Sequence, residues 1–381
     1  MERESMNLIR SIAVTAGLVI LLSSCSTGNE KPEQLAVKPD STFVLKSVSG
    51  LTQVAQLTGY DSINKTNQYE VYGTDLGSMF NSGDKTYLVF GDTFGYRAPG
   101  LTGGGGSDWR SNTLAITTDN DASDGLTFDT MISDYGKHAK EVLPSAKVDF
   151  DEMTKIPTHG IAVDNNLYLY YMSVNHWGAP GNWDANYSGM TKSVDQGEHW
   201  TILEDIRWPG DSNFIQVSPY KVKVNEHLTE IYYWCIPAGR FGGVKLMKVD
   251  EKDIEDLNEY VYYSGVNQDN EPLWSSDLDK AKLVVEDDVG VGELSVIWNP
   301  YLERWIMTYL KEGTGIVIRE GLSPWGPWGD AITLVSNTEY PGLYGPYMNP
   351  KYMEDDGRTI YFTLSLWDPY NVFWMKASLE K

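Results

Sequence analysis

The sequence predicts an all-β chain folded as a five-bladed β-propeller, and three observations predict it. Helical periodicity is scarce, while short runs of alternating or apolar residues, rich in aromatic and β-branched types, recur between turn signals. Groups of such strands repeat five times along the chain. Ser193-Val194-Asp195-Gln196-Gly197-Glu198-His199-Trp200 supplies Asp and Gly for a tight turn and Trp to pack it down. A split sandwich would use similar strands, but evenly recurring groups suit radial repetition.

The first group is GTDLGSMF followed by TYLVFGDTF. It reads as a hairpin turning over Asn81 to Asp84 and folded at Ser82-Gly83, with Asp75 and Asp92 at its open end. Directly opposed or diagonal residues on paired strands have Cβ atoms roughly 4.5–8 Å apart. Two such carboxylates repel and split their proton affinities, which suits acid–base chemistry on a glycosidic bond. The second group runs from Thr158 to Val174, the third from Phe214 to Pro237, the fourth from Gly292 to Leu310 and the fifth from Gly345 to Ser365. Their leading polar residues are Asp75, His159, Gln216, Glu293 and Asn349, spaced by 84, 57, 77 and 56 residues. Those lengths suit four-stranded blades with loop insertions. The start of each innermost strand faces one central funnel, so these five residues are expected to converge there. One helical insert is expected, over Val249 to Tyr260.

Other residues are candidates by position. Arg110 and Asn112 follow the first hairpin and are expected to donate hydrogen bonds to sugar hydroxyls. The loop Asn175 to Tyr187 presents Trp177 and Trp183 as stacking surfaces, with Arg240 and Trp367 in further turns. The glycine run Gly103 to Gly106 lacks the Lys-Ser/Thr of a phosphate loop and reads as a mobile loop beside the cleft.

Composition narrows the partners. The formal net charge is −23, which repels nucleic acid, anionic lipid and polyanionic sugars and leaves neutral polymers unpenalised. Part of the 13 Trp and 24 Tyr residues is expected in the core, and exposed rings make platforms on which sugar rings stack. Only Cys25 and Cys235 are present; Cys235 lies in an aromatic strand and reads as a buried, inert thiol. No Cys/His cluster has zinc spacing, and no acidic loop has EF-hand spacing, so no cofactor is expected beyond a structural Ca²⁺ in the channel.

The N-terminus predicts localisation. Arg10 precedes an apolar run from Ile12 to Leu22, a signal peptide too short to span a bilayer. Leu22-Ser23-Ser24-Cys25 resembles a bacterial lipobox, which implies lipidation at Cys25 and anchorage at the outer membrane. The expected organisation is a leader over 1–25, a flexible tether over 26–48 and the propeller over 49–381.

Two resemblances add to this. The Ser193–Trp200 motif is similar to the Asp box, the turn between outer strands of sialidase-type propeller blades, which implies a structural role for Asp195. GTDLG, GDTFG, SNTLAITTD, THGIAV, ELSVIWNPYLERWIMTYL and PWGPW resemble domain-of-unknown-function family 4185, associated with glycoside hydrolase family 183. The resemblance covers Leu51 to the C-terminus. It implies a five-bladed propeller that cuts internal α-D-arabinofuranosyl bonds of D-arabinan. A glycosidase needs one protonated and one ionised carboxyl, so the hairpin pair and the funnel make Asp75 the expected general base, Asp92 its tuning neighbour and Glu293, across the channel, the general acid, with an exchange of roles between Asp75 and Asp92 as the alternative. A carboxyl separation of about 6.5–9.5 Å would give inversion and about 5–5.5 Å retention. A sialidase-like enzyme would need a basic pocket, against the acidic balance. A non-catalytic glycan-binding lipoprotein would keep the aromatics and make the carboxylates structural.

Overall fold

The structure is a computed structural model that describes residues 33–35 and 42–381. The leader and Cys25 lie outside the described residues. Among the described residues no helix is long and apolar enough to cross a membrane.

Five antiparallel sheets form five blades, each built outward from an innermost strand. Blade I pairs Leu76–Ser82, Lys85–Phe90, Thr113–Thr117 and Thr130–Met131. Blade II pairs Thr154–Val163, Asn166–Trp177, Trp183–Ser193 and Thr201–Pro209. Blade III begins with Gln216–Lys223, Thr229–Ile236 and Val244–Asp250, and three short strands extend it. Blade IV pairs Leu294–Asn299, Arg304–Lys311, Gly315–Gly321 and Ile332–Ser336. Blade V takes Met348–Glu354, Thr359–Leu366 and Asn371–Glu380 from the end of the chain and Ser47–Gln56 from its beginning. Ser47–Gln56 is thus the outer strand of the last blade, and its pairing with Asn371–Glu380 closes the ring.

The five inner strands neighbour one another around the axis. Ser218 Oγ accepts the Val296 N–H at 2.9 Å, and Ser295 Oγ accepts the Met348 N–H at 3.0 Å. Asn81 and Asn349 exchange side-chain hydrogen bonds at 2.9 and 3.0 Å and join the first and last blades. Between blades the core is aromatic. Trp208, Trp234, Trp305 and Trp374 are fully buried. The Trp234 and Trp305 rings lie 5.0 Å apart between blades III and IV, and the Trp208 indole donates to Tyr262 across blades II and III. Truncating one of these rings to Ala would cost about 3–5 kcal/mol.

The Ser193–Trp200 turn links the third and fourth strands of blade II. Asp195 Oδ1 accepts from Ser193 Oγ and from the His199 N–H, each at 2.9 Å, and Trp200 donates to the Gly197 carbonyl. Cys235 is buried, and burial pushes its thiol well up.

Two expectations about the fold are corrected. Val249 to Tyr260 forms no α-helix: it ends a strand and continues as 3₁₀ turns at Glu251–Asp253 and Leu257–Glu259. The first hairpin turns at Gly83-Asp84, because Ser82 pairs with Lys85 and Gly83 takes a positive φ of 61°. The described parts of the 26–48 segment are docked. Leu35 is buried among the Trp234 and Trp305 cluster, the Trp305 indole donates to the Gln34 carbonyl, and the Leu45 N–H donates to Glu320.

Candidate active site

The open end of the first hairpin faces a cavity of about 860 Å³ at one end of the ring. Asp75 immediately precedes the inner strand of blade I, and Asp92 follows the second strand after Gly91. The Gly91 N–H donates to the Asp75 carbonyl at 3.2 Å, so Asp75 faces Gly91, one residue from Asp92. Leu76 and Gly77 follow with φ of 66° and 81°, and pairing slips one residue between Leu76 and Ser78. This bulge re-aims Asp75. A left-handed Leu costs about 1–2 kcal/mol, and the Ser365 hydroxyl holds it by accepting the Leu76 N–H at 2.8 Å. A Cβ on Gly91 would lie 2.4 Å from Asp75 Oδ1, so only glycine leaves room for the carboxyl.

Burial, and then the Asp92 charge, push Asp75 from an ordinary 3.8 up to about 7. Tyr344 opposes this by donating its hydroxyl to Asp75 Oδ2 at 2.9 Å. Burial also pushes Asp92 up to about 6, against hydrogen bonds to its Oδ1 from Thr154 at 2.7 Å and the Trp109 indole at 2.8 Å. Glu293 precedes the inner strand of blade IV and is buried. Its Oε1 accepts two hydrogen bonds from Arg240, from Nε at 3.1 Å and Nη2 at 2.9 Å. Arg240 Nη1 reaches Glu312 at 3.0 Å, and the guanidinium lies over the Tyr344 and Trp183 rings. The charged side chains lining the cavity are Asp75, Asp92, Glu293, Glu312 and Arg240.

Aromatic walls complete the cavity. Trp177 and Trp183 meet edge to face at 5.6 Å on one side. Trp367 and Tyr370 stand on another, with Trp367 54% exposed. Gln216, the first residue of the blade III inner strand, also lines the cavity, its amide N–H₂ donating to the Pro237 and Gly239 carbonyls. Gly104 and Gly105 contribute to the wall, and the glycine run is anchored. The Arg97 guanidinium donates to the carbonyls of Leu101, Gly103 and Gly105 and lies over Tyr370, while Gly103 packs against Trp367.

Four expected site residues lie elsewhere. Arg110 is buried, with its guanidinium bonded to the carbonyls of Ala139 and Glu70. Asn112 donates to the Leu143 and Lys155 carbonyls and accepts the Leu143 N–H. Arg110 thus braces loops beside blade I, and Asn112 ties one of them to the inner strand of blade II. His159 sits within the blade II inner strand, accepts the Gly160 N–H at Nδ1, and is pushed down to about 4 by burial. That strand begins at Thr154, four residues before the point from which the repeat was aligned. Asn349 bonds Asn81, and the cavity end of blade V is held by Tyr344 and Tyr347 instead. Sequence reasoning missed Tyr344, Tyr370, Trp109, Thr154 and Glu312. Trp109 and Tyr370 carried a signal, standing one residue before Arg110 and three after Trp367, both already candidates by position.

Among the described residues one group of three has metal-ligand spacing. Glu70, Asp108 and His138 offer atoms within 4.8 Å of one another. They do not line the cavity. Both ring nitrogens of His138 already face carboxylates, Asp134 at 2.8 Å and Asp108 at 2.9 Å, and Arg110 pairs with Asp108.

A family model described as "Domain of unknown function (DUF4185)" matches residues 61–376. The chain belongs to the DUF4185 family. No curated protein matches its sequence. Among solved structures it is similar to a candidate hydrolase from Bacteroides ovatus ATCC 8483, with 11% identity over 82% of this chain and 88% of that one, at a TM-score of 0.54. It is also similar to an exo-β-1,3-galactanase from Phanerochaete chrysosporium, with 10% identity over 85% of this chain and 64% of that one, at a TM-score of 0.50. At such identities these likenesses show the propeller fold that this DUF4185 chain shares with them.

Proposed function

We propose that this cavity is the active site of a glycoside hydrolase acting on a neutral polysaccharide. The observation that carries the reading is the pair Asp75 and Asp92, two carboxyls raised to different extents in one aromatic-lined cavity. A glycosidase needs one protonated and one ionised carboxyl at working pH. Asp75, the more strongly raised, keeps its proton to higher pH and protonates the leaving glycosidic oxygen. Asp92 is the more ionised at neutral pH and takes a proton from the attacking water. Trp109 and Thr154 hold its Oδ1 and fix the orientation of the carboxylate. Attack by that water on the face opposite the leaving oxygen would invert the anomeric centre. This reassigns the roles expected from sequence: Asp75 becomes the acid and Asp92 the base, while Glu293 is held in an ion pair by Arg240.

The proposed substrate is D-arabinan, cut at internal α-D-arabinofuranosyl bonds. The motif resemblance supports this choice, and four acidic side chains against one arginine in the cavity favour a neutral sugar. The glycan-active name of the galactanase with a similar fold supports the broader reaction class. The Leu22–Cys25 motif supports a lipid anchor at Cys25 and a place at the outer membrane. Product analysis on D-arabinan, L-arabinan and a galactan tests the assignment. An oligosaccharide ladder from D-arabinan alone is expected. Release from another polymer alone would reassign the substrate, and binding without release from any would favour a glycan-binding lipoprotein.

A further inference from the structure

We propose that Glu293 accepts a sugar hydroxyl in this cavity and that Arg240 is its positioning residue. The inference rests on the glycan reading above and assigns Glu293 to recognition. Glu293 is only 5% exposed and lines the cavity. Its two oxygens differ. Oε1 takes both Arg240 hydrogen bonds, while Oε2 is buried with no hydrogen-bond partner among the described residues. A buried acceptor left unpaired is costly, so a donor arriving with a ligand gains more here than at an exposed carboxylate.

Among the described residues Arg240 is the only cationic side chain lining the cavity, and its nitrogens are committed to Glu293 and Glu312. Its guanidinium lies over Tyr344 on blade V and Trp183 on blade II, at 5.2 and 5.9 Å. An arginine engaged at its edge and over ring faces is fixed in orientation, and so is the carboxylate it grips. The donor must therefore come from the ligand. A neutral hydroxyl fits. A sulfated or carboxylated sugar would meet the negative charges of Glu293, Glu312 and Asp92. A metal ion fits poorly, because among the described residues the cavity carboxylates do not form a group of three within 4.8 Å.

Glu293→Gln makes a sharp test. Arg240 will orient the amide oxygen toward itself and turn the N–H₂ into the cavity, so a donor replaces the acceptor. Stopped-flow Trp fluorescence can follow binding of oligosaccharides from D-arabinan, L-arabinan and β-1,3-galactan, each native and O-methylated. The wild type is expected to bind at least one native ligand and to lose its O-methylated form. Glu293→Gln is expected to weaken the native ligand about tenfold or more. It should also narrow the gap to the methylated form, whose ether oxygen can accept from the amide. Arg240→Met should weaken binding likewise, with partial rescue in Arg240→Lys. Native binding unchanged in Glu293→Gln, or equal wild-type binding of both forms, would overturn the inference. Binding without turnover would sink the hydrolase reading alone, and binding of no probe would sink both.

Discussion

Replacing Asp75 with asparagine should stabilise the protein in a way that depends on pH. The folded chain pushes this carboxyl from an ordinary 3.8 up to about 7, chiefly by burial. A carboxyl raised on folding binds more protons in the folded state, so stability falls as pH rises from about 4 to about 7 and is flat above. At about 1.4 kcal/mol per pH unit, the rise corresponds to an upper value of about 4 kcal/mol. The side chain is partly open to cavity water, which screens the charged form, so about 2–4 kcal/mol is the expected gain at pH 8. In Asp75→Asn the amide oxygen can still accept from Tyr344, but the amide nitrogen would face Gly91 where Oδ1 lay, a pH-independent cost. The assay is the urea midpoint of both proteins at pH 4, 6 and 8, followed by Trp fluorescence. The Asp75→Asn protein should gain on the wild type steadily from pH 4 to pH 8. A difference that does not change with pH, or one that shrinks as pH rises, would refute the reasoning.

Gly91→Ala would place a methyl 2.4 Å from Asp75 Oδ1 and displace the acid; turnover should fall about 10²-fold with a small change in Tm, measured by reducing-end release and calorimetry. Asp195→Ala should lower Tm by removing its three side-chain contacts in the blade II turn, to Ser193 Oγ, the His199 N–H and the His199 ring, with kcat unchanged. Trp367→Ala should raise KM about tenfold while leaving kcat near the wild-type value, because a stacking ring binds ground and transition states alike.

The fold was legible wherever period and turn chemistry agree. Alternation in TYLVF and RWIMTYL, together with the Ser193–Trp200 turn, marks blade strands without any long-range information. The open-ended hairpin placed Asp75 and Asp92 together because their partners are local in sequence. Where the site depends on irregular backbone, the pattern misleads. Pairing slips between Pro157 and His159, and again between Met348 and Met353, so in these two repeats the leading polar residue is no guide to the cavity. His159 and Asn349 fell to this. Arg110 and Asn112 fell to another ambiguity: a polar residue bracing a loop from inside is indistinguishable in sequence from one facing a ligand. The Arg240–Glu293 pair joins two blades across 53 residues, and only the closed ring brings it together. Val249 to Tyr260 has helical spacing, but its first residues belong to a strand whose pairing with Thr229–Ile236 outweighs local propensity.

Turnover by the Asp75→Asn and Asp92→Asn proteins, beside the wild type on the polymer it cleaves best, tests the central claim most directly. Loss of acid or base is expected to lower kcat by about 10²–10⁴-fold in each variant. The wild type should show a bell in kcat/KM against pH, with its acidic limb near 6 as Asp92 gains a proton and its basic limb near 7 as Asp75 loses one. Near-normal turnover in either variant, or no release by the wild type from any glycan, would contradict the account.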